Sequence, residues 1–284
     1  MAPRNAPTGR HRRLAVEMRR MREQAGISIQ EAATLLGADR TMISNIEAGR
    51  TGLSDERVRQ LACHYKCPDP ALIDALAAMT GPRRTIYWWD EYRGRLPEGH
   101  LEVSEVEHFA TRIRTAQTVH LPGLLQTEDH ARAIFEFTVP KLRRLDVELR
   151  VEHRLERQKI LGGDRPTPYV GIIHEAALRL EFGGPEVARA QLTYLADAAD
   201  RDNVTLLVIP FSAGAFHGAG QSILYAEGPV PQLDTVQLDT ALGANFVDAP
   251  TPLANYRSLL DLMEESALSP DESQEFIRSI AHEP

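Results

Sequence analysis

The stretch 36–50, LGADRTMISNIEAGR, places four polar side chains suited to base edges within six residues: Arg40, Thr41, Ser44 and Asn45. An Arg guanidinium can give two hydrogen bonds to guanine O6 and N7, and an Asn amide can pair with adenine N6 and N7. Ser and Thr adapt to either, and the Thr methyl can rest on a thymine methyl. At helical spacing Ile43 and Ile46 fall on the opposite side. The pattern predicts a short helix whose apolar face locks on a core and whose polar face can enter a major groove, with Leu36 closing a preceding helix and Gly37 making the tight turn. The plainer alternative is an amphipathic helix with a wet face. Arg4, Arg10, Arg12 and Arg13 could form an arm along the DNA backbone or serve only solubility.

Other reactive residue types make weaker cases. Cys63 and Cys67 lie four apart in CHYKC with His64 between them, but a tetrahedral zinc site needs four ligands and the chain has no second Cys pair. The spacing reads as buried thiols. His174 and Glu175 end a strand and His217 stands in FHGAG, without a nucleophile or base spaced to work with them. The glycines at 214–220 lack the Lys of a phosphate loop. No catalytic residue, metal or cofactor is assigned. Two apolar stores, Trp88 and Trp89 with Tyr92, and Leu124 and Leu125 in LPGLLQT (121–127), read either as core or as a pocket or docking surface. Arg154, Arg157 and Gln158 share one helix face and either pair with local acids or join that site.

Positioning these groups requires an ordered frame. The 284 residues, 43% of them hydrophobic, suffice for two domains with cores. Residues 10–80 read as five short helices, ending at Gly26, Gly37 and Gly49 and before Pro68 and Gly81, with Ser28, Asp39 and Ser54 as caps. Residues 1–9 read as a flexible basic arm and 81–100 as an aromatic connector. Residues 101–284 read as α+β: helices near 101–115, 127–137, 140–161, 185–200, 251–266 and 270–281, and strands in PYVGIIHEAAL, NVTLLVIP, QSILYAE, DTVQLD and ANFV, with a turn at Leu242-Gly243. Residues 1–84 hold 14 Lys and Arg against 9 Asp and Glu, or +5, and residues 85–284 hold 18 against 31, or −13. A basic end on an acidic body directs an anionic partner to the N-terminal part. Two Cys, no apolar run of about 18 residues and no signal-peptide core lead to the expectation of a cytoplasmic, nucleoid-associated protein that no membrane holds.

Residues 10–80, and MRRMREQAGISIQEAATLLGADRTMISNIEAGR above all, resemble the helix-turn-helix of phage repressors and the XRE family. The resemblance implies a five-helix phage-repressor-like domain, an ion pair between Arg22 and Glu47, and a phosphate contact at Arg50. Where the family often has Gln at the start of the second helix, this chain has Ile29. Residues 10–281 further resemble actinobacterial XRE regulators that carry a second domain of unknown function, described as WhiJ-like and antitoxin-like. The stretches that carry this are WWDEY, LPGLLQTEDHARAI, HRLERQ, HEAALR, GGPEV, NVTLLVIPFSAGAF and ALSPDES, in that order. Asp239, Gln237 and Asn245 depart from the usual pattern.

Taken together, these readings imply a mainly α domain followed by an α+β regulatory domain. The expected DNA-binding residues are Arg40, Thr41, Ser44, Asn45, Arg50, Arg12 and Arg13, and the expected effector or partner residues are Trp88, Trp89, Leu124, Leu125, Arg154 and Arg157. The expected partners are double-stranded DNA, a second copy of the chain as a homodimer, and either a small protein encoded nearby or a small-molecule effector. The alternatives are a ligand-sensing repressor without a protein partner and an enzyme domain tethered to DNA.

Overall fold

Side-chain caps at close intervals cut the first part of the chain into five helices. The structure, a computed structural model, describes residues 8–80, 86–218, 220–240 and 243–283. Thr8 caps α1 (Gly9–Gln24), accepting from the His11 N–H. Ser28 and Glu31 form a reciprocal capping box on α2 (Ile29–Leu36). Asp39 accepts from the Met42 N–H at 2.7 Å to open α3 (Arg40–Glu47). Ser54 caps α4 (Asp55–His64) and Asp69 caps α5 (Pro70–Met79). Thr8 and Gly9 are therefore helix start rather than arm. Residues 1–7, with Arg4, lie outside the described residues.

The chain divides into two units, and the first reaches to Asp90 and includes Pro229–Leu233. Its core joins Leu14, Met18, Met21, Ile43, Ile46, Val58, Leu61, Leu76 and Leu233. Each such side chain contributes about 1.5–3 kcal/mol by leaving water. Cys63 corrects the expectation of buried thiols. It is exposed, and Cys67 is half-buried, because the inward stripe of α4 is Val58, Leu61 and Ala62.

The second unit is built on a six-stranded mixed sheet of order β3-β2-β1-β4-β5-β6. The strands are β1 (Arg112–Gln117), β2 (Tyr169–His174), β3 (Val204–Ile209), β4 (Ile223–Glu227), β5 (Thr235–Thr240) and β6 (Gly243–Val247). β1, β2 and β3 pair in parallel, and β4, β5 and β6 continue antiparallel. The helices are α6 (Glu98–Phe109), α7 (Glu128–Glu136), α8 (Arg144–Gln158), α9 (Glu175–Arg179), α10 (Pro185–Ala198), α11 (Pro250–Glu265) and α12 (Pro270–Ala281). One core unites Ile113, Ile173, Leu195, Val208 and Ile277, on the side of α10 and α12. A second unites Ile172, Ile209, Tyr225, Leu260 and Met263, on the side of α11.

Three expectations are corrected. Residues 112–117 form a strand, not the end of a helix. Two of their polar residues are buried because each finds a partner: Arg114 donates to Asp261 (2.8 Å) and Glu264 (3.0 Å), and the Thr115 hydroxyl meets the Tyr169 hydroxyl at 2.6 Å. Residues 175–179 form α9 rather than more strand, since His174 caps it by accepting from the Ala176 N–H. Gly243 begins β6 instead of making a turn. Leu242 lies outside the described residues.

Candidate nucleic-acid interface

α2 and α3 are joined by Gly37-Ala38-Asp39, with Gly37 at φ 63°, a left-handed conformation that a side chain would strain. α3 then turns Ile43 and Ile46 inward, at 1% and 2% exposure. Arg40, Thr41 and Ser44 are exposed and Asn45 is half-buried. Among the described residues, the side chains of these four and of exposed Arg50 make no hydrogen bond or ion pair. Surface polar groups without internal partners are available to an incoming base or phosphate.

The back of this helix is fixed by charge. Arg22 Nε donates to Glu47 Oε1 at 2.5 Å and Nη2 to Oε2 at 2.9 Å, while Nη1 donates to the Ile27 carbonyl at 2.7 Å. Both side chains are about nine-tenths buried. The hydrogen bond to Glu47 raises the Arg22 pKa above its usual value. Burial, and then the Glu47 charge, push the nearby Tyr65 hydroxyl up to about 12. Ile29, at the position of the family's Gln, packs half-buried on the helical core.

The basic residues of α1 divide. Arg13 is 8% exposed, lies 3.3 Å from Glu17 and donates to the Gln232 carbonyl. Its expected place at the DNA surface is corrected, because a guanidinium held inside the unit is not presented to a phosphate. Arg10 donates to the Ala78 carbonyl at 2.9 Å. Arg12 is exposed, and a Cβ on Gly49 would stand 3.6 Å from its Cα. The fold thus brings Arg12 beside the turn that carries Arg50.

Tyr87 and Trp89 stack at 4.6 Å, and Trp88 meets Trp89 edge-on at 5.6 Å. Trp89 is 2% exposed. In the second unit Leu124 and Leu125 are also at 2% or below. The apolar side chains of LPGLLQT are therefore core, which corrects their reading as a contact surface. Around them stands a polar group. Arg157 makes two hydrogen bonds to Glu107, at 2.8 and 2.6 Å. Arg154 donates Nη1 to Gln126 Oε1 and lies 4.3 Å over the Phe135 ring, while its Nε is sealed from solvent without a partner. Gln126, Gln158 and Gln191 hold the loop: Gln126 Nε2 donates to the Leu121 carbonyl (2.7 Å), Gln158 Nε2 to the Gln126 carbonyl (2.6 Å) and Gln191 Nε2 to the Leu125 carbonyl (2.7 Å). Sequence reasoning missed Glu107, Gln126, Gln191 and His130, because nothing in their local spacing marks them. Only the pairing of distant helices does.

His174, with Nδ1 occupied by the α9 cap, stacks on Phe216 at 4.9 Å. Among the described residues there is no group of three or more His, Cys, Asp or Glu able to hold a metal. No described helix is long and apolar enough to cross a membrane.

Residues 13–76 match the family model of a helix-turn-helix domain, and residues 101–279 match that of a domain of unknown function, DUF5753. Comparison with curated proteins and with solved structures finds no match. The second match spans well over half of the 284 residues, so the chain belongs to the DUF5753 family, with a helix-turn-helix domain preceding the family's own.

Proposed function

We propose that the protein is a sequence-specific transcriptional regulator that binds DNA as a homodimer and whose second unit binds an effector that changes DNA affinity. The observation that carries the reading is the outer face of α3, where Arg40, Thr41, Ser44 and Asn45 are without internal partners while Ile43, Ile46 and the Glu47–Arg22 pair hold the helix from behind. Such a face has no structural task, and its chemistry suits major-groove base edges. In this reading Arg50 and Arg12 touch phosphates, and the site of action is the nucleoid in the cytoplasm. The order of the stretches from WWDEY to ALSPDES supports the finer placement among actinobacterial XRE regulators of the WhiJ-like, antitoxin-like kind.

For the second unit the polar group around Arg154 favours a small-molecule effector. A small protein partner, the second reading, is favoured by three side chains close in sequence that are widely exposed: Phe137 (79%), Val139 (96%) and Leu145 (82%). Selection of duplexes from a random pool with the full chain, followed by footprinting, tests the main claim. The expected outcome is a palindromic consensus protected on its major-groove face. Recovery of no consensus refutes it.

A further inference from the structure

Arg154 lacks a counterion. Its neighbour Arg157 is matched by Glu107, but Arg154 has only a neutral amide and an aromatic face: Gln126 Oε1 accepts from Nη1, and Phe135 lies beneath. No ion pair joins it to any described residue. Asp239, whose charge acts on both arginines, is exposed and accepts its hydrogen bond from Gln237. Arg154 is half-buried, and a guanidinium partly withdrawn from water without a counterion is unfavourable.

Several features converge on this one guanidinium. Its Nε is buried and unpartnered. A Cβ on Gly123 would stand 3.8 Å from that Nε and 3.9 Å from Arg157 Nη2, so both guanidiniums face the half-exposed Gly123 turn. His130 is 1% exposed and neither of its ring nitrogens has a partner. The Phe182 ring packs on both His120 (5.1 Å) and His130 (5.9 Å). Loss of hydration first, and the charge of Arg154 second, hold the pKa values of both histidines below the usual range; His130 is sealed, whereas His120 keeps an exposed side.

We infer that Arg154, backed by Arg157 and flanked by His120 and His130, is the binding site for a small molecule carrying a carboxylate or phosphate group. The anion supplies the charge that Arg154 lacks, and takes hydrogen bonds from Arg154 Nε and from the second hydrogen of Arg157 Nη2. To reach them it displaces the Gly123 turn, which breaks the 3.4 Å contact from Gln158 to the Gly123 carbonyl while Gln126 and Gln191 keep their hold on Leu121 and Leu125. The inference rests on the proposed effector role of the second unit and gives the effector its chemical class.

The test measures melting of the full-length protein against rising inorganic phosphate, succinate and acetate, with chloride at equal ionic strength as control. The expected result is a saturable rise in Tm with phosphate or with a carboxylate, and the arm that responds names the group. Arg154→Met removes the charge and keeps an apolar side chain over Phe135. It is expected to melt no lower than wild type in chloride and to lose the anion response. Arg154→Lys, which keeps a charge without the planar fork, is expected to retain a reduced response. No response to any of the three anions, an equal response in Arg154→Met, or a lower Tm of Arg154→Met in chloride overturns the site. The last outcome marks Arg154 as structural. DNA affinity of the same samples is read separately. A response to anion without DNA binding leaves the site standing and removes the regulator, whereas DNA binding without any response to anion does the reverse.

Discussion

At the scale of single residues, α3 separates two kinds of work. Ile43 and Ile46 are spent on the core, and the four polar side chains opposite them are spared for a partner. Asn45→Ala and Arg40→Ala are each expected to weaken binding to the selected duplex by about 1–3 kcal/mol and to relax preference at one base position. Arg50→Ala is expected to weaken all duplexes alike and to lower the slope of log affinity against log salt by about one. Titrations of the three variants on the selected duplex and on a scrambled one check this. An equal loss for Asn45→Ala on the two would remove Asn45 from base reading. Glu47→Ala acts differently. It leaves Arg22 nine-tenths buried with the Ile27 carbonyl and, 3.6 Å away, the exposed Glu23 carboxylate, and removing one partner of a buried pair costs about 3–5 kcal/mol. The first unit of that variant is expected to unfold at distinctly lower temperature, seen in tryptophan fluorescence, since both Trp residues of the chain fall in that unit.

At the scale of elements, sequence legibility followed local chemistry. α1 to α5 could be read to within two residues at each end because Ser28, Asp39 and Ser54 mark three of the starts and Gly26, Gly37, Gly49 and Pro68 mark the turns, although the Thr8 cap of α1 was read as arm. β2 to β6 were visible as apolar or alternating runs. β1 was hidden, since RIRTAQ has no strand pattern and its burial is bought by remote partners. Arg114 is 5% exposed only because α11 supplies Asp261 and Glu264. The same limit concealed Glu107 and His130 in the second unit and misplaced Arg13 on the surface of the first. The asymmetry of the Arg114 cluster gives a test. Asp261→Ala/Glu264→Ala strands a buried guanidinium and is expected to destabilise by about 3–5 kcal/mol. Arg114→Met leaves two carboxylates that water already reaches, at 57% and 31% exposure, and is expected to lose less. Urea unfolding of both variants decides, and a larger loss in Arg114→Met would contradict the role given to α11.

At the scale of the whole molecule, α3 is only eight residues long and reads few base pairs. This motivates the homodimer in the proposed function, with half-sites about 34–36 Å apart or a multiple of that distance. Sedimentation as a monomer with a single, non-palindromic footprint would refute it. The two units also differ in their response to acid. In the second, His100 and His130 have pKa values lowered to about 4 and His153 to about 3, in each case chiefly by burial and further by arginines: Arg150, Arg157 and Arg154 around His100, Arg154 beside His130, and Arg157 and Arg154 beside His153. These rings are neutral in the fold at pH 7. In the unfolded chain they titrate near 6.5, so below that pH the unfolded state takes up protons that the fold excludes. Their contribution to stability is complete above about pH 6.5 and declines as the pH falls towards 4, by up to about 1.4 kcal/mol per histidine per pH unit. In the first unit His11 is exposed and His64 half-buried, whereas His130 and His153 of the second are each at 1% exposure. Circular dichroism is therefore expected to show the second unit losing stability between pH 6.5 and 5 while the tryptophan signal of the first changes less. His130→Phe removes one of the three groups and is expected to reduce the slope of unfolding free energy against pH by about one proton. An unchanged slope would mean that His130 is protonated in the fold, and it would also remove a neutral flank from the site around Arg154.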